Sequence, residues 1–284
     1  MPLVPVKDLL LDAQKRGYAV GAFNCNNMEI VQAIVQAATA ERSPVIIQAS
    51  QGAIKYAGLE YISALGRLAA DRAQVPVALH LDHGTSFKQA VQCILNGFSS
   101  VMIDGSKLSF EDNVALTLEV LKVASSVGVS VEAELGKICG TEDDISVCDR
   151  DAQMTDPLEA QKFVERTGVD ALAVAIGTAH GVYKGKPELD FDRLSKIADL
   201  IDIPIVLHGS SGVPEEDIKR AIQYGVRKVN IDTDVRTAFM EGVRKVLEAS
   251  PGEIDPRKVL GPAREKMEEA IRRKMRTFGS SGKA

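Results

Sequence analysis

Short apolar runs alternate with longer amphipathic segments along most of the chain. The short runs are rich in Val and Ile and apolar on both faces, which is typical of strands buried between two layers. Eight runs predict strands, at Ala19–Phe23, Val45–Gln48, Val77–Asp82, Ser100–Asp104, Val129–Glu134, Ala171–Ile176, Pro204–His208 and Lys228–Ile231. The segments between them have helical periodicity, as over Met28–Arg42, where Ile30 and Ile34 share one stripe.

Eight strands that each precede a helix predict an α/β fold with a parallel sheet. An open doubly wound sheet is one arrangement, but the count of eight favours a closed (β/α)8 TIM barrel. An extra N-terminal helix is predicted over roughly Val6–Arg16, and a C-terminal helical extension lies within Asp255–Phe278, starting near Pro262. We expect the tail, residues 279–284, to be mobile. No break in composition marks a second domain, so residues 1–284 are predicted to form a single barrel domain.

Composition narrows the classes of protein that this chain could be. With 284 residues, 45% hydrophobic and 26% charged, it has the size and balance of a soluble barrel of about 250 residues. The net charge of −5 argues against a nucleic-acid partner. No apolar run approaches the ~18 residues that span a membrane. With no visible export signal and no CxxC pair among four cysteines, we expect a cytoplasmic protein with reduced thiols.

The few histidines fall where a barrel enzyme places its chemistry, at the carboxyl ends of the strands. His83, His180 and His208 follow strands three, six and seven. Three imidazoles with an open fourth position are typical of catalytic zinc, whereas the alternative is three separately hydrogen-bonded histidines. His80 lies two residues deeper on strand three, so we expect it to be buried and hydrogen-bonded.

Carboxylates also end three strands, and their roles stay open at this point. Asp82 is either an acid–base group or a carboxylate that orients a metal ligand. Asp104 and Glu134 are either ligands of a second metal or salt-bridge partners at the barrel rim. Lys228 is placed at the start of strand eight, the wrong end for a Schiff-base lysine, which disfavours covalent catalysis.

Two loops are candidates for substrate contacts. Gly209-Ser210-Ser211-Gly212 follows strand seven, where barrels commonly bind phosphate through backbone N–H groups, although such a loop is also often only a turn. The long loop from Leu135 to Asp156 is either a lid or a passive surface loop.

Together these motifs resemble the class II, metal-dependent ketose-bisphosphate aldolases, over essentially the whole chain. The resemblance is carried by residues 80–84, 100–104, 131–136, 177–181, 207–212, 228–231 and the ending 255–264. It implies reversible cleavage of fructose 1,6-bisphosphate to dihydroxyacetone phosphate and glyceraldehyde 3-phosphate. The alternative substrate that it implies is tagatose 1,6-bisphosphate. The two sugars differ in configuration at one hydroxyl, and none of these motifs distinguishes that centre.

The resemblance also implies roles for individual residues. It assigns catalytic Zn²⁺ to His83, His180 and His208, and a second divalent metal to Asp104 and Glu134. Asp82 would donate the proton to the aldehyde oxygen in condensation, and Glu142 would move the proton at the nucleophilic carbon. The implied substrate-binding residues are Gly181, Gly209, Ser210, Ser211, Asn230, Ile231, Asp232 and Thr233.

Further expectations follow from the same resemblance. A monovalent cation, Na⁺ or K⁺, is expected near the phosphate, and a homodimer or homotetramer is expected in solution. An arginine is expected at the second phosphate, with Arg276 as one candidate. Three residues depart from the usual family pattern, namely Lys107 beside the proposed second metal and Lys137 and Cys139 in the long loop.

Overall fold

The computed structural model describes residues 3–142, 145–147, 154–181, 183, 185 and 187–284. The strands within these residues are β1 (Val20–Asn24), β2 (Val45–Ser50), β3 (Val77–Gly84), β4 (Ser100–Ile103), β5 (Ser130–Leu135), β6 (Cys139–Glu142), β7 (Ile145–Val147), β8 (Ala171–Val174), β9 (Ala179–His180), β10 (Ile205–Leu207) and β11 (Val226–Ile231). The helices are α1 (Val6–Arg16), α2 (Met28–Glu41), α3 (Gln51–Ala57), α4 (Leu59–Arg72), α5 (Phe87–Leu95), α6 (Phe110–Ser126), α7 (Pro157–Thr167), α8 (Phe191–Leu200), α9 (Glu215–Gln223), α10 (Thr233–Ala249) and α11 (Pro256–Thr277).

Eight of these strands close into a parallel barrel, which confirms the predicted (β/α)8 fold. Going round the barrel the order is β1, β2, β3, β4, β5, β8, β10 and β11, and β11 pairs again with β1. Every residue of β2 and β3 is buried, because helices cover the outer face of the strands and packed side chains fill the inside. This double burial is why the strands read as continuous apolar runs in the sequence.

The inside of the barrel is closed at its N-terminal end by α1. Leu9 and Leu10 of this helix pack in one cluster with the inward-facing Ala22, Ile46 and Val206. A larger cluster fills the space between the strands and the outer helices. The apolar floor and the apolar outer layer leave the carboxyl ends of the strands as the place where polar side chains gather.

A small second sheet occupies the described part of the long loop after β5. β6 and β7 pair antiparallel, and β9 joins β6 in parallel, with Gly140 opposite His180. Residues 143–144 and 148–153 of this loop lie outside the described part of the chain. The loop is therefore linked by backbone pairing to the segment that carries His180.

The C-terminal extension is longer than predicted. The helix α11 begins at Pro256 instead of near Pro262, because Asp255 caps it by accepting from the Arg257 N–H at 3.0 Å. Proline is favoured in the first turn, so Pro256 takes the opening position and Pro262 lies inside the helix. α11 packs against α10 and α2.

The expectation of a mobile tail is wrong. Ser280 is fully buried and its hydroxyl donates to the Met275 carbonyl at 3.1 Å. The Gly282 N–H donates to the Glu41 carbonyl at 2.8 Å, and the Ala284 N–H donates to the Arg42 carbonyl at 3.0 Å. These bonds attach the tail to the end of α2.

Glu41 at the end of α2 is the charged centre of this attachment. Its carboxylate accepts from Arg276 at 2.6 Å, from Arg272 at 2.9 Å and from Ser281 at 2.8 Å. The hydrogen bond from Arg276, outweighing burial, lowers the pKa of Glu41 to about 2. A carboxyl whose pKa is lower in the folded state stabilises the fold above its ordinary pKa, and this stabilisation is lost as the pH falls toward 2.

Glu41→Gln is therefore expected to lower the free energy of unfolding by about 1 kcal/mol at pH 7, and by less at pH 3. Denaturant unfolding at both pH values measures the difference. Glu248→Gln, an exposed substitution on α10, is the matched control and should change stability little at either pH. An equal loss at pH 7 and pH 3 for Glu41→Gln would contradict the proposed role of its charge.

Two of the four cysteines have described side chains. Cys25 and Cys93 are free and buried, and burial raises the pKa of each thiol to about 12. The side chain of Cys139 and all of Cys148 fall outside the described residues. None of the described helices combines the length and the apolar character that crossing a membrane requires.

Candidate active site

Polar side chains line the upper part of the barrel because strand alternation points them inward. On β3 this places His80 and Asp82 inside, and on β5 it places Glu132 and Glu134 inside. All of these side chains are at most 2% exposed. The barrel mouth therefore holds a dense group of carboxylates and imidazoles above the apolar floor.

His83 reaches the same site through a break in that alternation. Regular pleating would point adjacent residues Asp82 and His83 to opposite faces of β3. His83 instead has φ +49°, in the left-handed region, and the register of β3 against β4 shifts between Leu81 and Gly84. This conformation is uncommon for a residue with a side chain, and here it brings His83 to the mouth beside Asp82.

The three predicted histidines converge at the barrel mouth. Nδ1 of His208 lies 2.9 Å from Nε2 of His83. The ring centres of His83 and His180 are 5.1 Å apart, and those of His180 and His208 are 6.1 Å apart. One nitrogen from each ring lies within 4.8 Å of the others. Such a set can hold one metal ion.

The hydrogen bonds of His83 and His208 show that this set fits zinc. Nδ1 of His83 lies 3.1 Å from Asp104, and Nε2 of His208 lies 2.8 Å from Glu132. Because a carboxylate accepts from each of these nitrogens, the other nitrogen of each ring carries a lone pair, and these two lone pairs face each other. The arrangement suits a shared cation, since two ligands of a tetrahedral zinc lie roughly 3.4 Å apart.

Burial favours the neutral form of His208, which is the form that a metal ligand needs. It lowers the pKa of His208, although the hydrogen bond to Glu132 opposes this shift. Burial would raise the pKa of Glu132, but the charge of Lys228 and the bond with His208 outweigh it and lower this pKa. His208 is thus a neutral ring held against a charged carboxylate.

Asp104 and Glu134 form a second group with His83. One ligand atom from each of these residues lies within 4.8 Å of the others. Burial tends to raise the pKa of Asp104, but hydrogen bonds with His83 and with Ser106 outweigh burial and lower it. Burial, followed by the charge of Asp104, raises the pKa of Glu134 well above its ordinary value. A second cation placed between the two carboxylates would relieve this repulsion.

Asp82 is fixed by three amide side chains at the mouth. Its carboxylate accepts from Asn24 at 2.7 Å, from Gln48 at 3.2 Å and from Asn230 at 3.3 Å. The amide nitrogen of Asn230 also lies 3.2 Å from Nδ1 of His208. The carboxylate of Asp82 is therefore held beside the three histidines in one orientation.

A pocket opens next to the histidines. Its lining includes all of the predicted substrate-binding residues except Ile231, whose side chain packs in the outer core. The lining residues are Asn24, Ala179, His180, Gly181, Gly209, Ser210, Ser211, Asn230, Asp232, Thr233 and Arg236. The loop after β10 and the start of α10 meet here, which is the expected arrangement for a phosphate site in a barrel.

Gly209 is required where this pocket meets β9. It has φ +60°, and a Cβ at this position would lie 2.6 Å from the Ala179 carbonyl oxygen. Tyr183 ties the same two segments together, since its hydroxyl donates to Gly209 O at 2.8 Å and accepts from the Ala179 N–H at 2.7 Å. The glycine therefore allows the phosphate loop to pack against the strand of His180.

Several residues of the site were not predicted from the sequence. Asn24 and Arg236 line the pocket, and Glu132 and Lys228 lie beneath the histidines. Asn24 has the same strand-end signal as the predicted residues, and Glu132 shares its face of β5 with Glu134. Arg276, the candidate for the second phosphate, instead pairs with Glu41 at the end of α2.

The prediction for Glu142 falls partly outside the described structure. The backbone of Glu142 lies in β6, opposite Ile145, but its side chain is outside the described residues.

Comparisons with known proteins agree with this geometry. The sequence profile of the family described as "Fructose-bisphosphate aldolase class-II" matches residues 4–283. A fructose-bisphosphate aldolase of Thermus caldophilus is 48% identical over 99% of this chain and 100% of its own length. A sulfofructosephosphate aldolase of Alkalicoccus urumqiensis is 46% identical over 100% of this chain and 99% of its own.

A solved structure gives the same result for the fold. The crystal structure of the YdjI aldolase from Escherichia coli K12 superposes with a TM-score of 0.88. It is 34% identical, and the match covers 99% of each chain. With its closed barrel, its three converging histidines and a profile match over nearly its whole length, this chain belongs to the class II fructose-bisphosphate aldolase family.

Proposed function

We propose that this protein cleaves fructose 1,6-bisphosphate reversibly to dihydroxyacetone phosphate and glyceraldehyde 3-phosphate. The observation that carries the proposal is the convergence of His83, His180 and His208 beside the fixed carboxylate of Asp82. Family membership and the name of the Thermus caldophilus relative support this sugar over the tagatose epimer.

His83, His180 and His208 would hold the Zn²⁺ on which this family depends. Bound zinc supplies a Lewis acid that stabilises the negative charge developing on the ketose oxygen atoms. Asp104 and Glu134, next to His83, would hold a second divalent cation. The lowered pKa of Asp104 beside the raised pKa of Glu134 supports that assignment, because a cation would bring both groups to the charged form.

The residues of the chain would then move the protons. When the carbon–carbon bond breaks, the hydroxyl next to it loses a proton and becomes the aldehyde oxygen, and Asp82 accepts this proton. In condensation Asp82 returns it to the same oxygen. Glu142 would carry the proton to and from the carbon that becomes the nucleophile. The three amides around Asp82 keep its carboxylate at the hydroxyl through both directions.

The pocket beside His180 would bind the phosphate of dihydroxyacetone phosphate. Gly181, Gly209 to Ser211, and Asn230 to Thr233 would contribute backbone and hydroxyl contacts there, and a Na⁺ or K⁺ ion would offset the remaining charge. Arg236, on the first turn of α10 and ion-paired with Asp232 at 2.5 Å, supplies a guanidinium to the lining. We further propose a cytoplasmic homodimer or homotetramer, in keeping with the family.

A cleavage assay tests the proposal directly. We expect turnover of fructose 1,6-bisphosphate to fall at least about a hundredfold when zinc is removed by a chelator, and to return when zinc is added back. Full activity after verified removal of zinc would contradict a metal-dependent mechanism. The control is the same chelator treatment followed by Mg²⁺, which prefers oxygen ligands and should not restore turnover.

The same assay identifies the sugar. We expect kcat/KM for fructose 1,6-bisphosphate to exceed that for tagatose 1,6-bisphosphate and for sulfofructose phosphate. A higher kcat/KM for either of the other two sugars would overturn the substrate assignment and would leave the zinc site and the aldol chemistry in place.

A further inference from the structure

A buried ion pair lies inside the barrel directly below the histidines. The ammonium of Lys228 lies 2.8 Å from one oxygen of Glu132, and both side chains are at most 1% exposed. The other oxygen of Glu132 lies 2.8 Å from Nε2 of His208. One carboxylate thus bridges a lysine of β11 and a histidine that follows β10.

Small residues on the intervening strand make this bridge possible. β5, which carries Glu132, is separated from β10 by β8, and from β11 by β8 and β10. The inward-facing residues of β8 include Ala171 and Ala173, and both are buried in the cluster inside the barrel. Because alanine leaves the interior open at this level, the Glu132 side chain can reach across to Lys228 and His208.

His80 completes the surroundings of the pair. Its Nε2 lies 3.4 Å from the Lys228 ammonium and 3.5 Å from Glu132, and its Nδ1 lies 2.8 Å from the Ser100 hydroxyl. If Ser100 accepts from Nδ1, the Nε2 lone pair accepts from Lys228. The Glu132 carboxylate thus meets an ammonium at one oxygen and an imidazole at the other, and a carboxylate buried this deeply requires such partners.

We propose that Glu132 and Lys228 are a positioning pair that holds the ring of His208 with Nδ1 toward the metal. Glu132 accepts a hydrogen bond from the Nε2–H group of His208. This bond favours the tautomer with the lone pair on Nδ1, the nitrogen that faces His83. Lys228 keeps Glu132 charged and in place. The inference rests on the proposed zinc site. In it Lys228 acts through its charge on Glu132 and forms no covalent bond with the substrate.

Zinc affinity of the purified, metal-free protein tests the pair. We expect Glu132→Gln and the double variant Glu132→Gln/Lys228→Met each to bind zinc roughly 10–100-fold more weakly than wild type, because the charged partner of His208 is lost. Competition with a chromophoric chelator measures the affinity. The double variant removes both buried charges, so its thermal midpoint should be nearer to wild type than that of Lys228→Met.

A control variant separates positioning from loss of stability. Ser43→Ala removes a buried hydrogen bond with Ser280, at the opposite end of the barrel, and should lower the thermal midpoint without changing zinc affinity. The chain has only four histidines, so ¹⁵N-histidine spectra can report the tautomer of His208. We expect Nε2 to be protonated in the wild type and a tautomer mixture in the double variant.

The outcomes distinguish this inference from the proposed function. Wild-type zinc affinity in the double variant, or an unchanged tautomer of His208, would overturn the positioning role. If zinc affinity instead falls in Ser43→Ala in step with stability, the effect is structural and the role is again overturned. A wild-type protein that binds no zinc at these histidines would contradict the proposed function itself.

Discussion

His208→Ala is expected to lose zinc and turnover together. The substitution removes one of three nitrogen ligands, the Nδ1 atom that lies 2.9 Å from Nε2 of His83. A bound metal contributes several kcal/mol to aldol cleavage, so we expect kcat to fall at least about 10³-fold. The chain should still fold, because Glu132 keeps its ion pair with Lys228 at 2.8 Å.

Elemental analysis of the dialysed protein measures the zinc, and a steady-state cleavage assay measures the turnover. All four histidines, including His80, lie in the barrel or at its mouth, so no surface histidine offers a matched control. Asp82→Ala serves as the control for zinc content, because Asp82 lies beside the three histidines and is not a proposed metal ligand. A His208→Ala protein that keeps one zinc per chain and turnover within tenfold of wild type would show that His208 is not a ligand.

The barrel could be predicted from the sequence because its physical cause is periodic. Strands buried on both faces leave apolar runs, and the helices between them leave a 3.6-residue pattern. The small sheet has no such signal, since the Cys139-Gly140-Thr141-Glu142 segment of β6 is short and mixed in polarity. The packed tail also escaped prediction, because Ser280 is buried through contact with Ser43, which is remote in the chain.

The site could be predicted at the level of residue type and strand end, but only in part at the level of geometry. Strand alternation places Glu132 inside with Glu134, but Glu132 lies below the strand end, where the sequence carries no signal of a site residue. The position of Lys228 along its strand could be predicted from the sequence. Its contacts depend instead on the face of the strand from which its side chain projects. No local sequence pattern predicts the positive φ of His83, because this conformation accompanies the shift in register between β3 and β4.

Asp82→Ala is expected to keep zinc and lose turnover. General acid–base groups contribute about 10²–10⁴-fold to rate, so kcat should fall by that factor while KM changes little. The three histidines keep their partners, because the contacts of Asp82 are with Asn24, Gln48 and Asn230. Asp199→Ala, an exposed change of the same chemical kind on α8, should leave both zinc content and kcat at the wild-type level.

One further measurement separates the two roles that the sequence left open for Asp82. If Asp82 serves only the hydroxyl proton, the variant should still exchange the carbon-bound hydrogen of dihydroxyacetone phosphate with solvent, since Glu142 is proposed for that step. Proton NMR in D₂O follows this exchange without any aldehyde present. Loss of zinc or of exchange in Asp82→Ala would show that this carboxylate acts through the metal ligands, because Asn230 connects it to His208. Retained zinc and exchange with lost cleavage assigns it to the proton on oxygen.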